Sequence, residues 1–141
     1  MSKNIVLIDR DKMRREQLRN ALSEEGFAVT EFEAGRDALQ HILFNSVNAV
    51  LLDYGTSYQP ENPVPAGKQL VQEIVHVDAF VPLVLFCDRC ETLHHETTAA
   101  VDLILRRPLT NRQVIDGLQT VLEETLRERA QRKSGYIFAF R

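Results

Sequence analysis

Four residues able to do chemistry stand at the ends of short apolar runs. Asp9 follows Ile5-Val6-Leu7-Ile8, Asp53 follows Ala49-Val50-Leu51-Leu52, Cys87 closes Val81 to Phe86, and Arg107 comes just after Asp102 to Leu105. Carboxylates can hold a hard cation or act as nucleophiles, and a guanidinium can neutralise negative charge as it develops. Asp9-Arg10-Asp11 adds a second acid and a fixed positive charge beside the first. Cys87-Asp88-Arg89-Cys90 is a C-x-x-C, a spacing used for redox and metal chemistry, with His94 and His95 close behind. Cys87 ends a buried apolar run, however, and adjacent histidines on a helix diverge by about 100°, so they do not readily share one metal. The pair therefore reads as a small buried thiol and a surface thiol.

These residues can act together only if the elements between them bring the run ends to one place. Asp11 is a natural cap for a helix over 12–25, with Met13, Leu18, Ala21 and Leu22 inward and Gly26 at its end. Residues 27–32 are β-rich but carry Thr30 and Glu31, as a strand near a sheet edge does. Residues 37–44 repeat a helical pattern through Ala38, Leu39, Ile42 and Leu43. Tyr54 to Ala66 holds three prolines and no periodicity, which predicts a long loop. Helices follow over 69–77 and 91–100, with strands over 81–87 and 102–105. Thr110-Asn111-Arg112-Gln113 fits a capping box and opens a last helix, with Val114, Ile115, Leu118, Val121, Leu122 and Leu126 as its apolar stripe. That helix is expected to run to Lys133.

Five strands alternating with helices, the central ones apolar throughout, specify a parallel sheet covered on both faces. The expected fold is α/β, a single (βα)5 flavodoxin-like doubly wound sheet of order 2-1-3-4-5 with an extended last helix. Sites in such sheets lie at the carboxyl ends of the strands, where Asp9, Asp53, Cys87 and Arg107 would meet. The 141 residues, 44% hydrophobic and 26% charged, suit one such domain and argue against general disorder. A net charge of -3 is no footprint for nucleic acid, and the basic end from Leu126 reads as a solvated helix terminus. No apolar run approaches the ~20 residues of a membrane span, and the first residues lack a signal-peptide core. Two cysteines make no disulfide framework, so a reducing cytoplasm is the expected location.

With these positions in order, the chain resembles a response-regulator receiver domain of two-component signalling over about residues 3–126. Asp9 and Asp11 fall at the family's acidic pocket, Asp53 at its phosphoacceptor and Arg15 where an arginine is common. Cys87 falls at the hydroxyl position, and Arg107-Pro108-Leu109 at the Lys-Pro-Phe position. The resemblance implies carboxylate attack on a phosphoryl group, with charge neutralised by Mg²⁺ and a basic side chain. Any metal would take Asp9, Asp53 and Gly55. The pattern departs at Arg10, where a second acid is usual, and at Cys87, Arg107 and Ile104, the last in place of a switch aromatic. The loop after Asp53 is also about six residues longer than usual.

The expectation is a degenerate, pseudo-receiver-like signalling module rather than an enzyme. Asp53 is its phosphoacceptor, and Mg²⁺ binding is weak or absent. Arg10 and Arg107 are the basic residues of the pocket, and Arg10 is expected to pair with Asp53 or Asp9 in place of a metal. Other readings stand beside these: Asp53 as a strand-end cap, Asp9 as a mere partner for Arg107, and Arg10 as a solvent-facing charge. Partners are a sensor kinase or an output protein, with a homodimer through the last helix and no membrane. Residues 1–126 form the receiver-like domain and 127–141 a helix extension with an apolar tail, Tyr136 to Phe140, that should be docked. The alternative is a small flavodoxin-like redox or metal-binding protein using Cys87 and Cys90. Against it, no glycine-rich phosphate loop follows the first strand.

Overall fold

In the computed structural model of the chain, the described residues are 2–55, 67–88, 93 and 95–139, without the side chains of 134–139. Five parallel strands form one sheet: β1 (Asn4–Ile8), β2 (Ala28–Phe32), β3 (Ala49–Asp53), β4 (Leu83–Cys87) and β5 (Leu103–Arg106), in the order β2-β1-β3-β4-β5. The helices are α1 (Lys12–Glu24), α2 (Gly35–Phe44), α3 (Gly67–Val77), α4 (His95–Ala100), α5 (Asn111–Glu123) and α6 (Leu126–Ala139). The expected order and doubly wound fold are present.

The two-residue period of the strands divides the core between two faces. Val6, Ile8, Val50, Leu52, Leu83 and Leu85 point to one side, onto Ala38, Leu39 and Ile42 of α2 and Leu70, Val71 and Ile74 of α3. Ile5, Leu7, Ala49, Leu51, Val84 and Phe86 point to the other, onto Leu18 and Leu22 of α1 and the apolar stripe of α5. Each large aliphatic side chain so buried stabilises the fold by roughly 1.5–3 kcal/mol. Both faces being used explains the unbroken apolar runs of β1, β3 and β4.

α1 is capped by Asp11, whose carboxylate accepts the Arg14 N–H, and it ends at Gly26, in the left-handed region at φ 95°. Its buried positions are Arg15, Leu18 and Leu22. Met13, expected to face inward, is exposed, because Arg15 takes the inward place in the first turn. Leu43 is also exposed, at the end of α2. α3 begins two residues earlier than expected, at Gly67, where a Cβ would collide with the ring and carbonyl oxygen of Tyr54. Gly67→Ala is therefore expected to destabilise the domain by about 1–3 kcal/mol, read as a lower urea midpoint.

The single long last helix is corrected by the structure. α5 closes at Glu124, and Thr125 starts α6 with a cap of its own: its hydroxyl accepts the Glu128 N–H while its own N–H donates to Glu128. Leu126, expected in the stripe, is exposed, whereas Val114, Ile115, Leu118 and Val121 are buried against the chain's own sheet.

α6 packs beside α4 and is anchored at the amino ends of β4 and β5. Asp102 accepts the Leu83 N–H at 2.7 Å and pairs with Lys133 at 3.1 Å and with Arg132. Lys133 also donates to the Val81 carbonyl at 3.0 Å. The side chains of Asp102 and Lys133 are only 2% and 4% exposed. Burial pushes the Lys133 ammonium below its ordinary pKa, with Asp102 opposing that shift. Glu124 pairs with Arg129 and Arg132, and the hydrogen bond from Arg132 lowers its pKa. The side chains of the apolar tail, Tyr136 to Phe140, lie outside the described residues.

Candidate functional site

β1 and β3 lie side by side at the centre of the sheet, so their carboxyl ends place Asp9 and Asp53 next to each other. Both side chains are almost fully buried. Arg14, in the first turn of α1, grips Asp9 with two parallel bonds, Nε to Oδ2 at 2.6 Å and Nη2 to Oδ1 at 2.8 Å. The Asp11 N–H also donates to Asp9 Oδ1, at 2.9 Å. Arg14 Nη2 reaches Asp53 Oδ2 at 3.5 Å. These carboxylates, Asp9 first, raise the pKa of the Arg14 guanidinium above its ordinary value.

Arg107, just past β5, closes the group from the other side. Its Nη1 donates to Asp53 Oδ1 at 2.7 Å, and its Nη2 lies 3.7 Å from Asp9 Oδ2. Its guanidinium stands 5.7 Å from the centre of the Phe86 ring, a cation–π distance, and its backbone N–H donates to the Cys87 carbonyl at 2.9 Å. The Arg107–Pro108 peptide is cis. Two acids and two guanidinium groups thus form one closed cluster beside a small cleft that Gln17 and Asn111 also line.

Arg15 secures the corner from below. Its Nη1 donates to the Asp9 carbonyl at 2.7 Å, and its Nε to Glu31 at 3.0 Å, while Arg19 meets the other oxygen of Glu31 at 2.9 Å. Asp9 is therefore held by its carboxylate through Arg14 and by its backbone through Arg15. Tyr54 stands next to Asp53, and burial raises the Tyr54 pKa, with the buried Thr97 of α4 opposing the shift.

No protein-family model matches the chain, and no curated protein matches it in sequence. Solved structures do match. A CheY-like response regulator receiver domain protein from Methanospirillum hungatei JF-1 is 16% identical, with 87% of this chain and 95% of that one covered at a TM-score of 0.73. The receiver domain of a sensor histidine kinase from Pseudomonas aeruginosa PAO1, with a magnesium ion in its active-site cleft, is 19% identical, covering 88% and 100% at 0.75. A response regulator from Thermotoga maritima in complex with Mg²⁺ and BeF is 20% identical, covering 84% and 98% at 0.72. This chain has the receiver fold.

Within that receiver fold, the site residues differ in what they touch. Asp11 is an exposed helix cap, and its own carboxylate is turned to the α1 backbone. Gly55 lies beside the pocket, where a side chain would stand 3.3 Å from Asp53 Oδ2. Arg10 is exposed, and the ion pairs on Asp9 and Asp53 among the described residues come from Arg14 and Arg107. Ile104 is half-buried in the middle of β5 and packs on the α2–α3 side of the core. Cys87 is buried at the end of β4 and is disulfide-bonded, which corrects its reading as a small buried thiol. Most of the long loop after Asp53 lies outside the described residues.

As arranged, these residues do not fit a Mg²⁺ ion. A hard cation needs several free oxygen ligands, and here the carboxylate oxygens of Asp9 and Asp53 already face guanidinium groups. Among the described residues no group of three or more His, Cys, Asp or Glu side chains is placed to hold a metal. Arg14 is the site residue that sequence reasoning missed. The signal was its place one helical turn after the cap Asp11, which aims its long side chain back over the end of β1.

Proposed function

We propose that the chain is a cytoplasmic receiver-type signalling module whose pocket is held by its own arginines, and which acts through contacts with a sensor kinase or an output protein. The observation that carries this reading is the bidentate Arg14–Asp9 pair joined to the Arg107–Asp53 pair. A receiver's chemistry needs a carboxylate oxygen free to attack phosphorus and a divalent cation to offset the charge that gathers there. In this pocket the Asp53 oxygens face Arg107 and Arg14, and the cation's place is taken by tethered positive charge. After any transfer, Cys87 offers no hydroxyl to the new oxygens, and Ile104 offers no aromatic ring to follow the change. Two of the readouts that a phosphorylated receiver would use are thus weakened along with the step itself.

A second reading keeps Asp53 as a working phosphoacceptor, because the carboxylate stands at the carboxyl end of the central strand with a basic residue on it. Intact mass after incubation with a small phosphodonor and Mg²⁺ separates the two. The expected result is an unchanged mass over a time that fully labels an ordinary receiver. A gain of one phosphoryl group, lost in Asp53→Asn, would establish the second reading instead.

A further inference from the structure

The cleft beside the carboxylate cluster has no part in the proposed function. It opens between α1 and α5 and has a volume of about 140 Å³. One wall is apolar, made by Leu18 of α1, Phe86 of β4, and Leu109 and Val114 on either side of the Thr110 cap. Leu18, Phe86 and Val114 are buried. The other wall carries Arg14 and Arg107 together with Asp9, and the exposed Gln17 and Asn111 complete the lining.

A guanidinium carries five N–H donors. Arg14 gives Nε and Nη2 to Asp9, and Arg107 gives Nη1 to Asp53. Among the described residues, Arg14 Nη1 and Arg107 Nε and Nη2 donate to no acceptor. Two cations with donors to spare thus line one cleft. Asp9 lines it too, but both its oxygens already accept hydrogen bonds from Arg14, which offsets its repulsion. The two guanidinium groups balance Asp9 and Asp53 in charge, so a ligand with one negative charge suits the cleft better than a dianion such as phosphate. A planar carboxylate also matches the guanidinium fork. Small-molecule sites join an apolar wall to a few placed polar groups, and a cavity of about 150 Å³ holds one benzene molecule. The apolar part of a fitting ligand is therefore a few carbons long.

We propose that this cleft binds a small organic carboxylate, with its head on Arg14 and Arg107 and its short apolar body against Leu18, Phe86, Leu109 and Val114. The proposal rests on the reading of a pocket held by its own arginines, and it names what such a pocket responds to. Arg107 also holds Asp53, so an acid seated on the same guanidinium ties occupancy of the cleft to the carboxylate cluster.

The test adds sodium butyrate to the full chain at neutral pH and low ionic strength, followed by NMR. Saturable shifts are expected together at the Nε–H of Arg107 and at the methyl groups of Leu109 and Val114. Acetate lacks two of the methylene groups of butyrate and should bind roughly tenfold more weakly, each buried methylene being worth about fourfold. Butyramide, with the same body and no charge, should not saturate over the range that saturates butyrate. Gln17→Glu and Asn111→Asp each add a negative charge at an exposed position of the lining and leave the core alone. Each should weaken butyrate about fourfold, the effect of a unit charge about 5 Å away in water. Equal binding of acetate and butyrate, saturation by butyramide, tighter binding of inorganic phosphate than of butyrate, or an affinity unchanged in both variants would each overturn the proposal. A phosphoryl gain in intact mass would overturn the proposed function and leave these titrations as they are, so the two failures are told apart.

Discussion

Arg14→Ala is expected to bind Mg²⁺ at least tenfold more tightly than the wild-type chain. The wild-type guanidinium occupies both oxygens of Asp9 and approaches Asp53, so an incoming divalent ion meets a tethered positive charge. A unit charge about 5 Å from a divalent ion costs roughly 1.5–2 kcal/mol even at the dielectric of water, which is about tenfold or more in affinity. Without metal the variant should also lose about 1.5–3 kcal/mol of stability, because a nearly buried carboxylate gives up two charge-assisted bonds. Added Mg²⁺ should then restore stability to Arg14→Ala and not to wild type, since a ligand that binds the folded form raises its stability by mass action. Calorimetric titration and thermal melts across a Mg²⁺ series read both effects. Equal affinity in the two proteins would mean that Arg14 yields the carboxylates without cost.

Asp102→Ala should be among the most damaging substitutions in the molecule, with an expected loss of about 3–5 kcal/mol. The carboxylate is the shared partner of Arg132, Lys133 and the Leu83 N–H, and the Lys133 side chain has almost no access to water. Its removal leaves a buried ammonium with, among the described residues, the Val81 carbonyl as its hydrogen-bond partner, and takes the acceptor from a strand-end N–H. A domain of this kind has about 5–15 kcal/mol in total, so the urea midpoint should fall far and amides of α6 should exchange first. Asp102→Ala combined with Lys133→Met should recover much of the loss, because the stranded charge is then gone. A loss under about 1 kcal/mol in the single variant would show that water solvates the cluster.

How much of this was legible follows from the kind of signal each feature leaves. β1, β3 and β4 are apolar on both faces, so their runs and their order could be read directly, and Glu31 in β2 marked that strand as peripheral. The break between α5 and α6 was missed because Leu126 continues the spacing of Val121 and Leu122. Thr125-Leu126-Arg127-Glu128 is nonetheless the same type of capping signature as the one recognised at Thr110. Asp9, Asp53 and Arg107 could be placed because strand ends in a parallel sheet share one rim. Arg14 could not, since among three arginines within six residues (Arg10, Arg14 and Arg15) helical phase alone decides which one reaches back to Asp9. The Asp102–Lys133 pair joins residues 31 apart in sequence, a partnership created only by the turn at Thr125.

The grip of Arg15 and Arg19 on Glu31 has a consequence for how the molecule avoids its own kind. β2 borders the sheet, and an open border of Ala28-Val29-Thr30-Glu31-Phe32 is a ready template for a strand from another chain. Glu31 is turned in to α1 and held there by two guanidinium groups, so a foreign strand that added to β2 would set its side chains against a charged, half-buried cluster. The same contacts that brace the corner under Asp9 thereby make this border a poor seed for fibrous stacking, and protect a sheet whose interior strands are among the most aggregation-prone segments in the chain.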